Sequence, residues 1–415
     1  MRAVAAAHST LLTAPNLMHL QTDVCIIGNG VIGKVAALGL AQAGLRVSLL
    51  CGLAAPSSGA ADAPWDVRVY AVNHVAHTLL SSVKVWEALH ADRVAPVDAM
   101  DISGDGAEHA GHLQFDSYGA RVGELAWIVE DANLNQALDA ALKFASNVQM
   151  VSGPAVRLHT DADVARVALD NGDTLAASLL VGADGAHSWV RHQCEIGMDY
   201  RPYGQRAIVT NFVCEKPHRG VAYQWFTSDE GIVALLPLPG ERVSLVWSAP
   251  EVLAQRLLAE PLEQLAQRLG HYCAGPLGHL TPLQPEAVKS FPLALIRPHA
   301  ITAPRVALVG DAAHVVHPLA GHGMNLGFAD VSGLMKVLAE REPQRDCGDA
   351  RVLARYARAR KEDILLMQLA TDGLERLFAS DFAPLRVARN LGLNFVDRLP
   401  FLKRQLISHA LGRQP

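Results

Sequence analysis

Apolar residues along the chain repeat with two spacings, which together predict alternating strands and helices. Residues 23–27 and 46–50 are apolar runs that predict buried strands, and the alanine-rich segment between them predicts a helix. A third run, residues 306–309, also predicts a buried strand. The helix that follows it has apolar positions spaced at three and four, namely Met324, Phe328, Val331, Leu334 and Leu338. This pattern is typical of an α/β fold.

The middle of the chain follows a different pattern. Residues 200–296 contain short strand-like runs broken by Pro and Gly, as in an antiparallel sheet, and they are interrupted by a predicted helix over Glu251–Leu269. From Ala350 onward the pattern is helical. We therefore expect seven segments: an N-terminal extension (1–21), a nucleotide-binding domain in three parts (22–95, 130–195 and 298–345), substrate-domain strands (96–129), a substrate-binding sheet domain (196–297) and a C-terminal helical region (346–415).

Composition narrows the class of protein. The chain has 415 residues, of which 50% are hydrophobic, but no run approaches the ~20 apolar residues that a membrane-spanning helix needs. A net charge of -5 argues against a nucleic-acid partner. Six cysteines without a CxxC pair favour a reduced, cytoplasmic protein over a disulfide or zinc framework. Arg2 and a short alanine run leave three interpretations of the first residues: an export signal, a disordered extension, or a misassigned start with the true start at Met18. The missing long apolar core argues against the export signal.

The first strand leads into a glycine motif. Gly28, Gly30 and Gly33 form GxGxxG between a strand and a helix, where such glycines allow a tight turn, the approach of a pyrophosphate and close helix packing. A glycine-rich turn without a ligand is the alternative. The acidic residue that usually ends the second strand and holds the ribose is replaced by Cys51, so we expect weaker retention of the cofactor.

Two further strand ends carry candidate chemistry. Asp184-Gly185 follows an apolar run and precedes Ser188, a predicted N-cap, although on its own this is an ordinary turn. Gly310-Asp311 ends the third strand, where a carboxylate suits sugar hydroxyls. The helix start at 321–325 offers backbone N–H groups to an electron-rich acceptor, so the pair predicts a cofactor with a polyol and a ring that becomes anionic. His314, His317 and His322 have a spacing that matches metal sites poorly, and we predict no metal.

The motifs GNGVIG, GADGAHSWVR and ALVGDAAHVVHPLAGHGMNLG stand in this order along the chain. The order resembles the single-component FAD-dependent aromatic hydroxylases and, within them, the FAD-dependent ubiquinone-biosynthesis hydroxylase family. The segments YARARKEDILLMQLATDGLERLF and RNLGLNFVDRLPFLKRQLISHALG are similar to the C-terminal pattern of that family. The resemblance covers about residues 22–412. It implies an FAD-binding Rossmann-like domain with an inserted antiparallel-sheet substrate domain and C-terminal helices.

The resemblance also implies roles for individual residues. Asp311 would bind the ribityl chain, and Asp184-Gly185 would contact both the FAD pyrophosphate and reduced nicotinamide. The remaining implied cofactor contacts are Gly28, Gly30 and Gly33 at the pyrophosphate, Gly321, Gly323, Met324 and Asn325 at the pyrimidine edge of the flavin, and Arg68 and Glu130 near the cofactor. From its sequence position alone, Arg68 is equally well a plain surface charge. His322 stands where the family usually has Gln. It is either a side chain that changes its charge near neutral pH or a neutral polar substitute for that Gln.

The function implied by the resemblance is that of an FAD-dependent monooxygenase. It would use O2 and a reduced nicotinamide or ferredoxin-type electron donor to hydroxylate the ring of a polyprenylated phenol. No side-chain nucleophile is required, and we assign no catalytic acid or base. Two alternatives stay open: a hydroxylase of a small soluble aromatic acid, which needs an arginine for the carboxylate, and a flavin-poor scaffold subunit. Residues 381–415 mix basic and apolar residues, so they are a helical pair covering the core or a contact with a biosynthetic complex or the inner membrane surface.

Overall fold

The structure is a computed structural model that describes residues 18–52, 64–104 and 111–379; the side chains of Ala320 and His322 lie outside the description. Its strands are β1 (His19–Ile27), β2 (Val47–Cys51), β3 (Val69–Val72), β4 (Val94–Val97), β5 (Ala99–Ser103), β6 (His112–Asp116), β7 (Ala126–Glu130), β8 (Val148–Ser152), β9 (Ala155–Thr160), β10 (Ala165–Leu169), β11 (Thr174–Gly182), β12 (Met198–Cys214), β13 (Val221–Thr227), β14 (Gly231–Leu238), β15 (Arg242–Pro250), β16 (Leu280–Pro282), β17 (Lys289–Pro298), β18 (Thr302–Ala303) and β19 (Val306–Leu308). Its helices are α1 (Val31–Gln42), α2 (His74–Ser82), α3 (Ser117–Ala120), α4 (Asp131–Phe144), α5 (Trp189–Gln193), α6 (Glu251–Ala259), α7 (Leu262–Leu277), α8 (His322–Ala339) and α9 (Ala350–Ala379).

The first sheet has the strand order β18-β19-β11-β1-β2-β8, with β9 and β10 attached as an antiparallel extension of β11. Strands β19, β11, β1, β2 and β8 pair in parallel. Near-continuous apolar runs such as residues 24–27 form these strands because both faces of a parallel sheet are covered. The core on one face includes residues of α1, α4 and α8.

The second sheet is largely antiparallel, with the order β16-β12-β15-β14-β13-β5-β6 and with β17 also paired to β12. Side chains alternate between its two faces. On β14, Val233 and Leu235 pack in the core that contains residues of α6 and α7. Their neighbours Ile232, Ala234 and Leu236 line a cavity on the opposite face. The sheet therefore has one face packed on helices and one face available to a ligand.

Segment 96–129, where we expected substrate-domain strands, contributes strands to two sheets. Strands β5 and β6 extend the second sheet, whereas β4 and β7 pair with β3 in a small three-stranded sheet. This small sheet lies against both the start of α8 and the second sheet. Ala71 of β3 contacts Gly321, and it also packs on the apolar cluster that contains Ala222 of β13.

The predicted helix over Glu251–Leu269 is wrong in one respect, because the structure has two helices there. Helix α6 ends at Ala259, Glu260 is extended with φ -84° and ψ 148°, and α7 begins at Leu262. The ring of Pro261 clashes with a helical conformation of the residue before it, which ends α6.

Helix α9 spans both sheets. Near its start, the Tyr356 hydroxyl donates to the Leu308 carbonyl of β19 at 2.8 Å. Near its end, Gln205 of β12 donates to Glu375 at 3.1 Å. The helix predicted from Ala350 is thus present as far as Ala379, and the predictions for residues 1–17 and 381–415 lie outside the described residues.

Candidate active site

The carboxyl ends of three parallel strands lie side by side at one edge of the first sheet. The Cα pairs Ile27–Gly182 and Gly182–Leu308 align the ends of β1, β11 and β19. One of the three sequence motifs follows each of these strands directly. Ligands of open α/β sheets bind outside the carboxyl ends of the strands, so this edge is the candidate cofactor site.

The three glycines of the first motif differ in whether the surrounding structure leaves space for a side chain. Gly28 has φ +114°, and a Cβ there would lie 2.3 Å from the Ala183 carbonyl oxygen of the second motif. A Cβ on Gly33 would lie 1.8 Å from the Gly28 carbonyl oxygen. In contrast, among the described residues, a Cβ on Gly30 would meet no atom within 4 Å, and no side chain caps the helix that starts there. Gly28 and Gly33 are therefore needed by the fold, whereas Gly30 leaves open space at a helix N-terminus.

Asp184 is held within its own turn. Its carboxylate accepts hydrogen bonds from the Ser188 hydroxyl at 2.5 Å and from the Val190 N–H at 3.0 Å. Ser188 in turn accepts from the Arg191 N–H at 3.0 Å, so the predicted N-cap is confirmed. A direct contact of Asp184 with a cofactor stays a prediction.

Arg191, which the sequence analysis did not single out, joins the second motif to the third. Its guanidinium is buried and donates to the carbonyl of Ala186 at 2.6 Å and to that of Ala312 at 3.0 Å. Burial lowers the pKa of this guanidinium. The sequence contains the residue at the end of GADGAHSWVR, but its partner lies 121 residues away.

A buried ionic network on α8 and α9 holds the turn of the third motif in place. Asp330 of α8 is 0% exposed and accepts from the Gly310 N–H at 2.9 Å, from His314 Nε2 at 2.6 Å and from Arg360 Nε at 2.8 Å. Burial raises the pKa of the Asp330 carboxyl, but His314 and Arg360 outweigh burial, and the net shift is downward. The network fixes the turn that presents Asp311.

Two of the three histidines considered as metal ligands bind protein groups instead. His314 contacts Asp330, and His317 Nε2 contacts the Gln205 side-chain oxygen at 3.0 Å. The side chain of His322 lies outside the described residues. Within residues 18–52, 64–104 and 111–379, no group of three His, Cys, Asp or Glu side chains could hold a metal ion.

Asp311 and Arg68 present charged groups to the cavity. Neither side chain has a hydrogen-bond partner in the part of the chain that the structure describes, although Arg68 lies 5.5 Å from the ring centroid of Tyr70. Burial raises the pKa of the Asp311 carboxyl, and His314 and Arg68 oppose this shift. Both groups are available to a ligand, one as a partner for hydroxyls and the other as a donor.

Glu130 is fully buried and does not line the cavity. Its oxygens accept from the Asp66 N–H at 2.6 Å and from Arg93 Nε and Nη2 at 2.7 and 2.9 Å. The side chain thus holds the backbone just before Arg68. Contact of Glu130 with the cofactor stays a prediction, and the geometry supports an indirect role.

The start of α8 packs closely against β3. Gly321 has φ +67°, and a Cβ there would lie 2.9 Å from the Cβ of Ala71. Asn325 donates to the carbonyl of Ala71 at 2.7 Å and accepts from the Asn73 N–H at 3.0 Å. No side chain of the described residues caps this helix, so its first N–H groups lack partners within the helix.

A cavity of about 1150 Å³ opens from this corner. One wall consists of predicted site residues: Arg68, Asp311, Gly321, Gly323, Met324 and Asn325. A second wall is the free face of the second sheet, and a third is one face of α9 formed by Met367, Ala370, Thr371, Leu374, Leu377 and Phe378. The remaining predicted residues, Gly28, Gly30, Gly33, Glu130 and Asp184, lie outside the cavity lining. Most of the lining is apolar, so the site joins a polar corner to an apolar chamber.

Comparison with known proteins agrees with this class of site. Residues 21–365 match the family described as "FAD binding domain". A solved structure of p-nitrophenol 4-monooxygenase PnpA from Pseudomonas putida DLL-E4 superposes with a TM-score of 0.74 over 96% of this chain and 100% of that chain, at 16% identity, which shows a shared fold.

Two relatives in sequence narrow the family. The chain is 36% identical to 3-demethoxyubiquinol 3-hydroxylase of Escherichia coli (strain K12), over 94% of this chain and 98% of the relative. It is 35% identical to ubiquinone hydroxylase UbiL of Rhodospirillum rubrum, over 94% and 89%. The chain therefore belongs to the family of FAD-dependent ubiquinone-biosynthesis hydroxylases. Its α/β fold, its flavin and its enzymatic class follow from that membership.

Proposed function

We propose that the protein hydroxylates the aromatic ring of a polyprenylated phenol in ubiquinone biosynthesis, using FAD and O2. The observation that carries this proposal is the shape and polarity of the cavity. A polar corner suited to a cofactor opens into an apolar chamber that extends to α9, as a ring with a long hydrocarbon tail requires. The names of the two relatives support the same substrate class.

The residues of the corner fit FAD. The open space at Gly30 and the uncapped start of α1 suit a pyrophosphate, because helix N-termini favour anions. Asp311 would bind hydroxyls of the ribityl chain, and the start of α8 would face the pyrimidine edge of the flavin. When bound and reduced, FAD supplies the chemistry that activates O2 for ring hydroxylation.

The chain itself contributes positioning and exclusion of water. The N–H groups at the start of α8 would stabilise negative charge on a flavin ring system bound next to them. The apolar rows of the second sheet keep water away from the reacting ring. Arg68 would donate to the flavin edge or to a phosphate. No side-chain nucleophile is needed, and we assign none.

A small aromatic acid fits the chamber less well. Among the lining residues that the structure describes, Arg68 is the one arginine and there is no lysine. Arg68 lies at the cofactor corner, so a carboxylate bound against the second sheet would have no cation beside it. A flavin-poor scaffold is also disfavoured, since the corner keeps Asp311 and Gly30 open to a ligand. We include a reduced nicotinamide or a ferredoxin-type protein as the electron donor.

Contact with a membrane surface or a biosynthetic complex is the second part of the proposal. No helix in the part of the chain described here is long and apolar enough to cross a membrane. However, Leu365, Leu366 and Leu369 of α9 are exposed at 42%, 56% and 56% on the same helix that lines the cavity. An apolar substrate could pass from a lipid surface into the chamber beside this helix with little exposure to water.

The direct test is turnover by the purified, FAD-loaded protein with a short-chain prenylated phenol, a chemical or enzymatic electron source and isotopically labelled O2. We expect one labelled oxygen atom in the ring. A hydroxybenzoic acid, assayed in parallel, should give oxygen consumption without labelled product. Absence of flavin under every loading condition, or labelled product only from the acid, would overturn the proposal.

A further inference from the structure

The sheet wall of the chamber is mostly apolar and carries two polar side chains, Ser248 of β15 and the larger Gln224 of β13. Gln224 of β13 lines the cavity, is 6% exposed, and has no hydrogen-bond partner among the residues that the structure describes. An amide left in an apolar surface without a partner costs free energy. Such a cost is typical of a group that is completed by a ligand.

Two apolar contacts fix which part of β13 faces the cofactor corner. Ala71, which lies against Gly321 at the start of α8, packs on the cluster that contains Ala222. Leu319, two residues before Gly321, packs in the cluster that contains Phe226. Both ends of this short stretch of β13 are therefore close to the turn that opens α8.

Gln224 lies midway between these contacts. Residues 222, 224 and 226 share one face of the strand, and all three line the cavity. The side chain of Gln224 thus enters the chamber between Ala222 and Phe226, which share apolar clusters with Ala71 and Leu319. Its partners across the strands are Ile102 of β5 and Ala234 of β14, and the small Ala234 side chain leaves room on that side of the amide for a ring.

We infer that Gln224 is a positioning residue that binds an oxygen substituent of the substrate ring and holds the ring against the flavin. This inference rests on the proposed function. A primary amide both donates and accepts, so it can bind a phenol hydroxyl, an ether oxygen or a carbonyl. The neighbouring rows are mostly apolar, and the Gln224 amide is larger than the hydroxyl groups of Ser248 and Thr371 that also line the chamber. Without a polar contact of this kind the ring can present the wrong carbon.

The test compares two ligands that differ by one oxygen, 2-geranylphenol and geranylbenzene, on the oxidised FAD-loaded protein. Dissociation constants come from the change in flavin absorbance. We expect the wild type to prefer the phenol by about 3- to 10-fold, the value of one neutral hydrogen bond. Gln224→Met keeps the shape and loses the amide, so it should bind both ligands alike and should produce less hydroxylated product per O2 consumed.

Ser244→Ala is the matched control. Ser244 of β15 is buried on the same side of the sheet, has an unpartnered hydroxyl and does not line the cavity, so its variant should keep the preference for the phenol. A merely structural role for Gln224 would weaken both ligands equally and would overturn the inference, as would an unchanged preference in Gln224→Met. If the wild type bound flavin but neither ligand, the proposed substrate class would itself be wrong, and the inference would fall with it.

Discussion

Arg360 contacts two carboxylates, those of Asp330 and Asp363. Removing each carboxylate charge in turn tests whether the buried pair supports the turn that presents Asp311. Asp330 is 0% exposed and pairs with Arg360 Nε at 2.8 Å, whereas Asp363 is 52% exposed and pairs with Nη1 at 2.6 Å. The variants Asp330→Asn and Asp363→Asn remove one negative charge each from the same arginine. They differ in burial and in what else the carboxylate holds.

The expected costs differ severalfold. Asp330 accepts from three donors, and an asparagine would turn an NH2 group toward at least one of them while removing the buried one of the two charge partners of Arg360. Breaking a buried ion pair costs roughly 3–5 kcal/mol of the free energy of unfolding. An exposed pair is worth about 0–1 kcal/mol. Because the Gly310 N–H is also released, Asp330→Asn should weaken FAD binding as well, whereas Asp363→Asn should leave it unchanged.

Denaturant unfolding of both variants without FAD gives the stability difference, and titration with FAD, followed by quenching of flavin fluorescence, gives the affinity. Working without the cofactor in the first measurement separates the two effects. Equal costs for the two variants would refute the reasoning. So would full FAD affinity in an Asp330→Asn protein that is clearly destabilised, since the turn would then not depend on the network.

Three further predictions concern single residues. Burial lowers the pKa of His317 to about 4, so below pH 6.5 the unfolded chain binds more protons than the folded protein. The free energy of unfolding should therefore be at its full value above pH 6.5 and should fall by about 3 kcal/mol toward pH 4. The variant His317→Gln should flatten this dependence on pH. Cys51→Glu restores an acid at the end of β2 and should tighten FAD binding by about 1–3 kcal/mol in a flavin titration, with Cys51→Ser as the control; equal affinities would reject this. Gly321→Ala should lose about 1–2 kcal/mol of stability because an alanine is strained in the left-handed backbone conformation, and it should lose more because its Cβ clashes with Ala71. Adding Ala71→Gly removes the clash but not the backbone strain, so the double variant should recover only part of the loss in a thermal unfolding measurement.

The sequence was sufficient to predict the convergence of the motifs because that information is local. Each motif is an apolar strand followed at once by a glycine turn, and parallel strands in one sheet present their turns at one edge. Gly28, Asp184 and Asp311 could therefore be placed near one another from the pattern alone. Family resemblance then gave the flavin, which the match over residues 21–365 supports.

The supporting groups could not be predicted because their partners are remote in the chain. Arg191 and Ala312 are 121 residues apart, and Arg360 and Asp330 are 30 apart. A buried Arg and a surface Arg look alike in one sequence, and no periodic pattern distinguishes them. The break at Pro261 is a different kind of miss, since the residue itself carried the signal and the apolar spacing on both sides obscured it.

The hydrogen bonds of each side chain distinguish residues that support the corner from residues that can bind a ligand, which the motifs alone do not. Glu130 and Asp184 have their carboxylates occupied by protein donors, so they shape the corner. The side chains of Asp311, Arg68 and Gln224 line the cavity and have no hydrogen-bond partner in the described part of the chain. Of the three, Gln224 is buried, and burying a polar group without a partner costs about 1–3 kcal/mol, whereas Asp311 and Arg68 are exposed. A ligand would supply the missing partner of Gln224 and would replace solvent at the two charged groups, which is why we place the ring oxygen and the cofactor against these residues and assign support to the satisfied ones.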